Sequence, residues 1–317
     1  MLTDYPLPRS TTKRDRLGLG VGDVYVYRKD PSEHRATIEP SWIESQSQLG
    51  VRFLGVLAED REWVTVEVND DPVKISLFDS GALSNVVRDA GSRLWIDITG
   101  LELASWAPWI RSAIEASVPV RALYTEPARY SPSPSPVERL RFNLSKRTMG
   151  PAPLPGFARL TLPAPEDAIL VPFMGFEGER LQRVLGELPY EERRTFPVLG
   201  IPGFKMDYPF HSLEANAHEL ARLPLHRNVR LARANCPFES FLAVTQVASD
   251  EAIDSVVLAP IGTKPHALGA LLYAIVHPAE STLVYDHPVR SDGRTEGAGP
   301  LNVYDLSAFL NMLEEAA

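Results

Sequence analysis

From residue 168 onward the chain alternates between two kinds of apolar segment with great regularity. Short strand-like segments occupy 168–175, 196–201, 229–235, 254–262, 281–288 and 301–306. Between them lie stretches with helical spacing of apolar residues, at 177–188, 212–223, 237–250 and 264–277. The segment SAFLNMLEEA closes the chain as a further helix. Runs of four to eight apolar residues bounded by Gly and Pro read as buried strands, whereas a 3.6-residue period reads as helix. Strand and helix in strict alternation predict a parallel sheet with helices on both faces and right-handed crossovers. In such a sheet a ligand binds beyond the carboxyl ends of the strands.

The first half carries the same signal less densely. Leu94–Gly100 (LWIDITG) is a compact apolar strand. It is followed by Trp106, Trp109, Ile110, Ala113 and Ile114, which share one helical face, with Ser105 as the expected N-cap. Val118–Pro127 returns as a strand, so a βαβ unit is predicted. The two tryptophans read as core. Strands are also expected at Asp23–Arg28, on both sides of a charged turn at Glu59–Glu62, and at Ile75–Ser80. A helix near Trp42 is expected to be interrupted by Pro40. Tyr130–Glu138 alternates Ser and Pro, and the run from Pro151 to Pro165 is also rich in proline. This composition favours extended, irregular backbone, with Arg139–Arg147 as a strand crossing it. The predicted fold is α/β, with two Rossmann-like units of mainly parallel sheet flanked by helices. The expected domains are residues 1–135, a Pro-rich linker at 136–165, and a C-terminal unit at 166–317.

Composition narrows the function classes. Of 317 residues, 44% are hydrophobic and 23% charged, ordinary values for a globular chain of two domains. No apolar run reaches the ~20 residues of a membrane helix, and the first twenty residues lack the apolar block of a secretory signal. A lone cysteine, Cys236, permits no internal disulfide and builds no zinc site. A cytoplasmic location is expected. The formal charge of −9 argues against a broad face for duplex nucleic acid. It leaves room for a small anion held in a local pocket by backbone amides and a few cations.

The best candidate for such a pocket is Ala259–Ala274. A buried strand ends at Gly262, Thr263 can cap the next helix, and Pro265 suits its first turn. The free N–H groups of a helix start carry partial positive charge, and Lys264 adds a full one. His266 is expected to point into the same crevice. A strand followed by Gly-Thr-Lys and a helix rich in small residues resembles the signature of CARF-type Rossmann domains. These occur in CRISPR-associated sensors and, as fused pairs, in the SAVED domains of anti-phage systems. The usual version has a hydroxyl residue and a second glycine where this chain has Ala259–Pro260–Ile261. The resemblance implies a cyclic oligonucleotide or related nucleotide bound by Gly262, Thr263 and Lys264. It reaches the first half only through the turn Asp97–Gly100.

Further candidates surround this one. The glycine-rich segment after Tyr285 holds Asp286, His287, Arg290, Arg294 and Glu296. Its strand is expected beside the one at 254–262, so that the two arginines close over Gly262–Lys264 and pair with phosphate oxygens. Asp97 and Thr99 follow a central strand, and a buried Asp97 requires a partner. Gly175, Glu177 and Gly178 form a Gly-x-x-Gly turn without the rest of a dinucleotide fingerprint. His211, Glu214 and His218 share a helix face and read as polar surface rather than a metal site. Cys236 reads as buried.

The function expected is a nucleotide-binding sensor of a prokaryotic anti-phage system, its ligand a small anionic nucleotide. Protein partners in a multi-component system are expected, and no cofactor or metal is. The alternatives are a nucleotide hydrolase using His266, Asp286, His287 or Glu296 for acid–base work, and a non-catalytic structural subunit.

Overall fold

The computed structural model describes residues 5–68, 71–88, 91–133, 141–154, 156–157, 162–253 and 255–316. Its contacts divide the chain into two units: one of Met1–Arg129 with Thr295–Ala317, the other of Tyr130–Arg294. The second is thus an insertion into the first along the chain.

In the first unit the chain runs β1 (Arg9–Thr11), β2 (Asp23–Arg28), α1 (Pro40–Gln48), β3 (Arg52–Glu59), β4 (Trp63–Val68), β5 (Asp71–Ser76), α2 (Ser80–Arg88), β6 (Arg93–Asp97), α3 (Leu103–Glu115) and β7 (Val120–Tyr130). The second unit contributes β8 (Ser145–Arg147), β9 (Ala152–Pro153), β10 (Ala168–Pro172), α4 (Gly178–Glu187), β11 (Val198–Gly200), α5 (Tyr208–Arg222), β12 (Arg230–Ala232), α6 (Pro237–Glu251), β13 (Ser255–Ala259), α7 (Lys264–Val276), β14 (Ser281–Tyr285) and β15 (Val289–Arg290). The chain then returns through β16 (Thr295–Asp305) and α8 (Leu306–Ala316).

The first unit is built on an eight-stranded sheet of order β1-β16-β7-β6-β2-β3-β4-β5. Its centre, β7-β6-β2-β3, is parallel, and β4 and β5 continue it antiparallel at one edge. Five of six residues of β2 are buried because both faces of a central strand are covered. The expected βαβ unit is β6-α3-β7, with Trp95, Trp106 and Trp109 wholly buried. Two local expectations change. Pro40 does not interrupt α1 but occupies its first turn, where the missing N–H costs nothing. Glu102, not Ser105, is the N-cap of α3; Ser105 is buried one turn further in.

In the second unit β10, β13 and β14 are parallel and adjacent, and β9 closes one edge antiparallel. Parallel bridges Leu170–Thr195 and Phe173–Val198 attach β11, which pairs with β12. Numbering the parallel strands by chain order, the sheet reads 3-2-1-4-5. Right-handed crossovers that first step outward and then reverse must place the helices of the outward steps on one face and those of the returning steps on the other. Correspondingly α4 packs on α5 and α6 packs on α7. The reversal lies between β10 and β13, so that is the topological switch point. Leu170, Leu181, Val184, Leu199, Val257 and Val284 form the core on the α4–α5 side.

The C-terminal boundary differs from the expected one. Residues 295–317 belong with the first unit, because β16 lies beside β7 and pairs antiparallel with β1. The Pro-rich segment is also more than a linker. Met149 and Leu154 donate backbone hydrogen bonds to Asp286 and Leu283, and Phe142, Leu154 and Phe157 are buried in the second unit. Among the described residues of the expected strand at 139–147, Ser145–Arg147 form a strand, paired with β15. Residues 134–140 of the Ser-Pro run, and 155 and 158–161, lie outside the described residues. Among the described residues no helix is long and apolar enough to cross a membrane.

Candidate functional site

A crevice opens in the second unit at the carboxyl ends of β10, β11, β12 and β13. It offers about 540 Å³ of atom-free space, its open mouth included. Met174 to Glu177 follow β10, Gly203 and Phe204 follow β11, Ala234 follows β12, and Ile261 to Thr263 follow β13. This is the switch-point position at which open α/β sheets bind ligands. Its lining includes four aromatic side chains, Tyr130, Phe176, Phe204 and Tyr208. Phe176 packs edge to face with Tyr130 and with Tyr208 at 5.2 Å, Tyr130 and Tyr208 are tilted against each other at 5.7 Å, and Phe176 stacks on Phe142 at 4.9 Å. His211 joins the same cluster, 5.5 Å from Phe142, and its Nε2 lies 3.2 Å from Asp207.

Thr263 is the N-cap of α7: its hydroxyl accepts from the His266 N–H and donates to the Ala234 carbonyl at 2.8 Å. The loop after β13 is thereby tied to the loop after β12. Gly262 is required by the backbone beside it. A Cβ there would stand 2.6 Å from the Met174 carbonyl oxygen, so the approaching group is the neighbouring backbone. Gly262 and Thr263 line the crevice, while Lys264 is half-buried at the start of α7 beside it.

His266 does not enter the crevice. Its ring is fully buried, with Nε2 3.0 Å from the Arg233 carbonyl and Phe173 at 5.7 Å. Burial pulls its pKa down to about 4, so it is neutral near pH 7. The carbonyl contact assigns the proton to Nε2.

Asp286, at the end of β14, is 1% exposed and grips Arg180 with two hydrogen bonds of 2.6 Å. Although burial opposes the charge of Arg180, the Asp286 carboxylate holds its pKa above the usual range. Glu177 lies 3.8 Å from the same guanidinium. Its own oxygens accept from the Leu144 and Ser145 N–H groups at 3.0 and 2.8 Å and from the Ser145 hydroxyl. Sequence reasoning noted Glu177 only as a loop residue and missed Arg180 altogether. A cation three positions into an amphipathic helix resembles any surface arginine until its carboxylate partner is known. Arg290 and Arg294 do not line the crevice: Arg290 lies on β15 against β8, and the Arg294 carbonyl accepts from the Ser131 N–H.

No family model matches the chain. No curated protein matches it either. Among solved structures, CobK precorrin-6A reductase is similar at 13% identity, over 92% of this chain and 96% of that one, with a TM-score of 0.24. A likeness of that size carries neither a ligand nor a reaction to this protein.

Three candidates fall in the first unit. Asp97 is 2% exposed and binds Arg14 at 2.9 Å and the Tyr25 hydroxyl at 3.2 Å, and its other oxygen accepts from the Thr99 N–H. The Thr99 hydroxyl accepts from the Thr125 N–H. The partner that a buried Asp97 requires is therefore supplied by Arg14, from the polar lead-in before β2. Glu296 is exposed and paired with Arg129. Cys236 is buried, and burial pushes its thiol up to about 11, which keeps it protonated and unreactive.

Proposed function

We propose that the second unit binds a nucleoside or nucleotide in the switch-point crevice and acts as a sensor rather than as a hydrolase. The observation that carries this reading is the crevice itself, walled by aromatic rings at the carboxyl ends of four strands of a 3-2-1-4-5 sheet. The tip of α7, with Gly262, Thr263 and Lys264 at or beside the rim, is where a phosphate attached to such a ligand would lie. The anti-phage role implied by the CARF resemblance rests on the Gly262–Lys264 match alone.

The state of the titratable groups favours binding over turnover. General acid–base work needs a group able to exchange a proton within reach of the scissile bond. Here the His266 ring is buried and neutral, Asp286 is held by Arg180, and Glu177 is spent on backbone amides.

The test is incubation of the full chain with mononucleotides, dinucleotides and cyclic oligonucleotides. Thermal unfolding and breakdown products are followed together. At a ligand concentration 100 times Kd the folded state gains about 2.7 kcal/mol, a readily visible shift. A shift without breakdown is the expected result. Breakdown would favour the hydrolase, and no shift with any nucleotide would end the proposal.

A further inference from the structure

We infer that the crevice takes the ring of its ligand and not the phosphate: it is a slot for an uncharged flat heterocycle of the nucleobase kind, with any phosphate left at the rim. The inference rests on the reading above and specifies which end of the ligand enters.

The charges come first. Among the described residues lining the crevice, the charged ones are Glu177 and Arg180. The Arg180 guanidinium is committed to Asp286 through two short hydrogen bonds and has Glu177 at 3.8 Å. Two carboxylates thus answer one guanidinium, so Arg180 offers a phosphate no uncompensated positive charge, and the Glu177 carboxylate stands at the wall. A phosphate entering there would add like charge in a partly desolvated place where Coulomb terms are strong. A neutral ring brings no such cost.

At the turns that usually receive phosphate, this protein sets a carboxylate or its own backbone. In a 3-2-1-4-5 sheet the first strand-to-helix turn, here β10 to α4, seats a pyrophosphate on the helix N-terminus. The residue at that turn is Glu177, whose carboxylate already collects the Leu144 and Ser145 N–H groups. At the fourth strand the turn into α7 is closed from below, since Gly262 packs on the Met174 carbonyl with no room even for a methyl group.

What remains suits a ring. Tyr130, Phe176, Phe204 and Tyr208 present aromatic surface, and Met174 and Ile261 present aliphatic surface. Stacking of a base on such side chains is tolerant of base identity and typically changes affinity about tenfold or more when one aromatic is removed.

The experiment compares adenosine, guanosine, cytidine and uridine with their 5′-monophosphates by calorimetry on the full chain. Inorganic phosphate and pyrophosphate serve as competitors. The expected result is that at least one nucleoside binds within about tenfold of its monophosphate and that neither phosphate nor pyrophosphate displaces it. Phe204→Ala, on the loop after β11, is expected to weaken nucleoside and monophosphate by the same factor, about tenfold. Lys264→Ala is expected to weaken the monophosphate and leave the nucleoside unchanged. Phe176→Ala provides a second test of the wall should Phe204→Ala fail to fold. If monophosphates bind more than a hundredfold tighter than nucleosides, or pyrophosphate displaces them, the ring-first inference is overturned while nucleotide binding stands. If neither nucleosides nor nucleotides bind, both are overturned.

Discussion

His266 makes the stability of the second unit depend on pH in a calculable way. The ring is fully buried, hydrogen-bonded through Nε2 to a backbone carbonyl, and its pKa is pulled from 6.5 down to about 4. In the unfolded chain the imidazole titrates near 6.5. Between these values the unfolded state binds a proton that the folded state does not, so stability rises with pH across that window. The contribution is complete above about pH 6.5 and is lost as the pH falls toward 4. At about 1.36 kcal/mol per pH unit, the interval between 6.5 and about 4 is worth about 3 kcal/mol. Carboxylates elsewhere titrate in the same range, so the measurement must be differential. His266→Gln keeps an amide N–H able to reach the Arg233 carbonyl but removes the titration. Urea denaturation of wild type and variant at closely spaced pH values from 5 to 7.5 gives the comparison. Wild-type stability should fall by about 2 kcal/mol more than that of the variant between pH 6.5 and 5. Parallel curves would show that His266 does not stay neutral in the fold and would refute the argument.

Two further substitutions test the framework of the crevice. Asp286→Ala leaves the buried Arg180 guanidinium with Glu177 at 3.8 Å as its remaining carboxylate, and should cost about 3–5 kcal/mol by urea denaturation; a loss below about 1 kcal/mol would mean that water already reaches the guanidinium. Gly262→Ala drives a Cβ against the Met174 carbonyl at 2.6 Å and should cost about 1–3 kcal/mol of stability, with weakened nucleoside binding as the two loops part; calorimetry on the variant checks the second effect.

The architecture was legible because it is written in local periodicity. Most strands from 168 to 285 announce themselves by a short apolar run, and the helices by their apolar faces, so the α/β class and the parallel character of the sheet needed no distant information. What failed was everything fixed by partners far away in sequence. The run at 301–306 looks like one more strand of the second unit, yet β16 pairs with β1, nearly 300 residues earlier. Nothing in Leu301–Leu306 itself records that choice. Proline misled in the same way: a run read as spacer carries Leu154 and Phe157 into a core, because proline excludes regular pairing but not burial.

The site divides along the same line, and the division says what kind of site it is. The helix cap at Thr263 was readable, since capping is a contact between residues three apart. The electrostatic reading of the motif was not, because it turns on an ion pair spanning 106 residues, Arg180 with Asp286, and on a glutamate 32 residues from the backbone it holds. A Gly-Thr-Lys turn in isolation advertises positive charge. Set against Glu177 and Asp286, the same turn borders a crevice whose one lining guanidinium is already answered by carboxylates and whose lining includes four aromatic side chains. The sequence motif therefore describes the rim, while the chemistry of the interior comes from residues that no local pattern joins. On the ring-first proposal, a ligand there is discriminated by its ring, and a charge outside contributes only through Lys264 and the α7 tip.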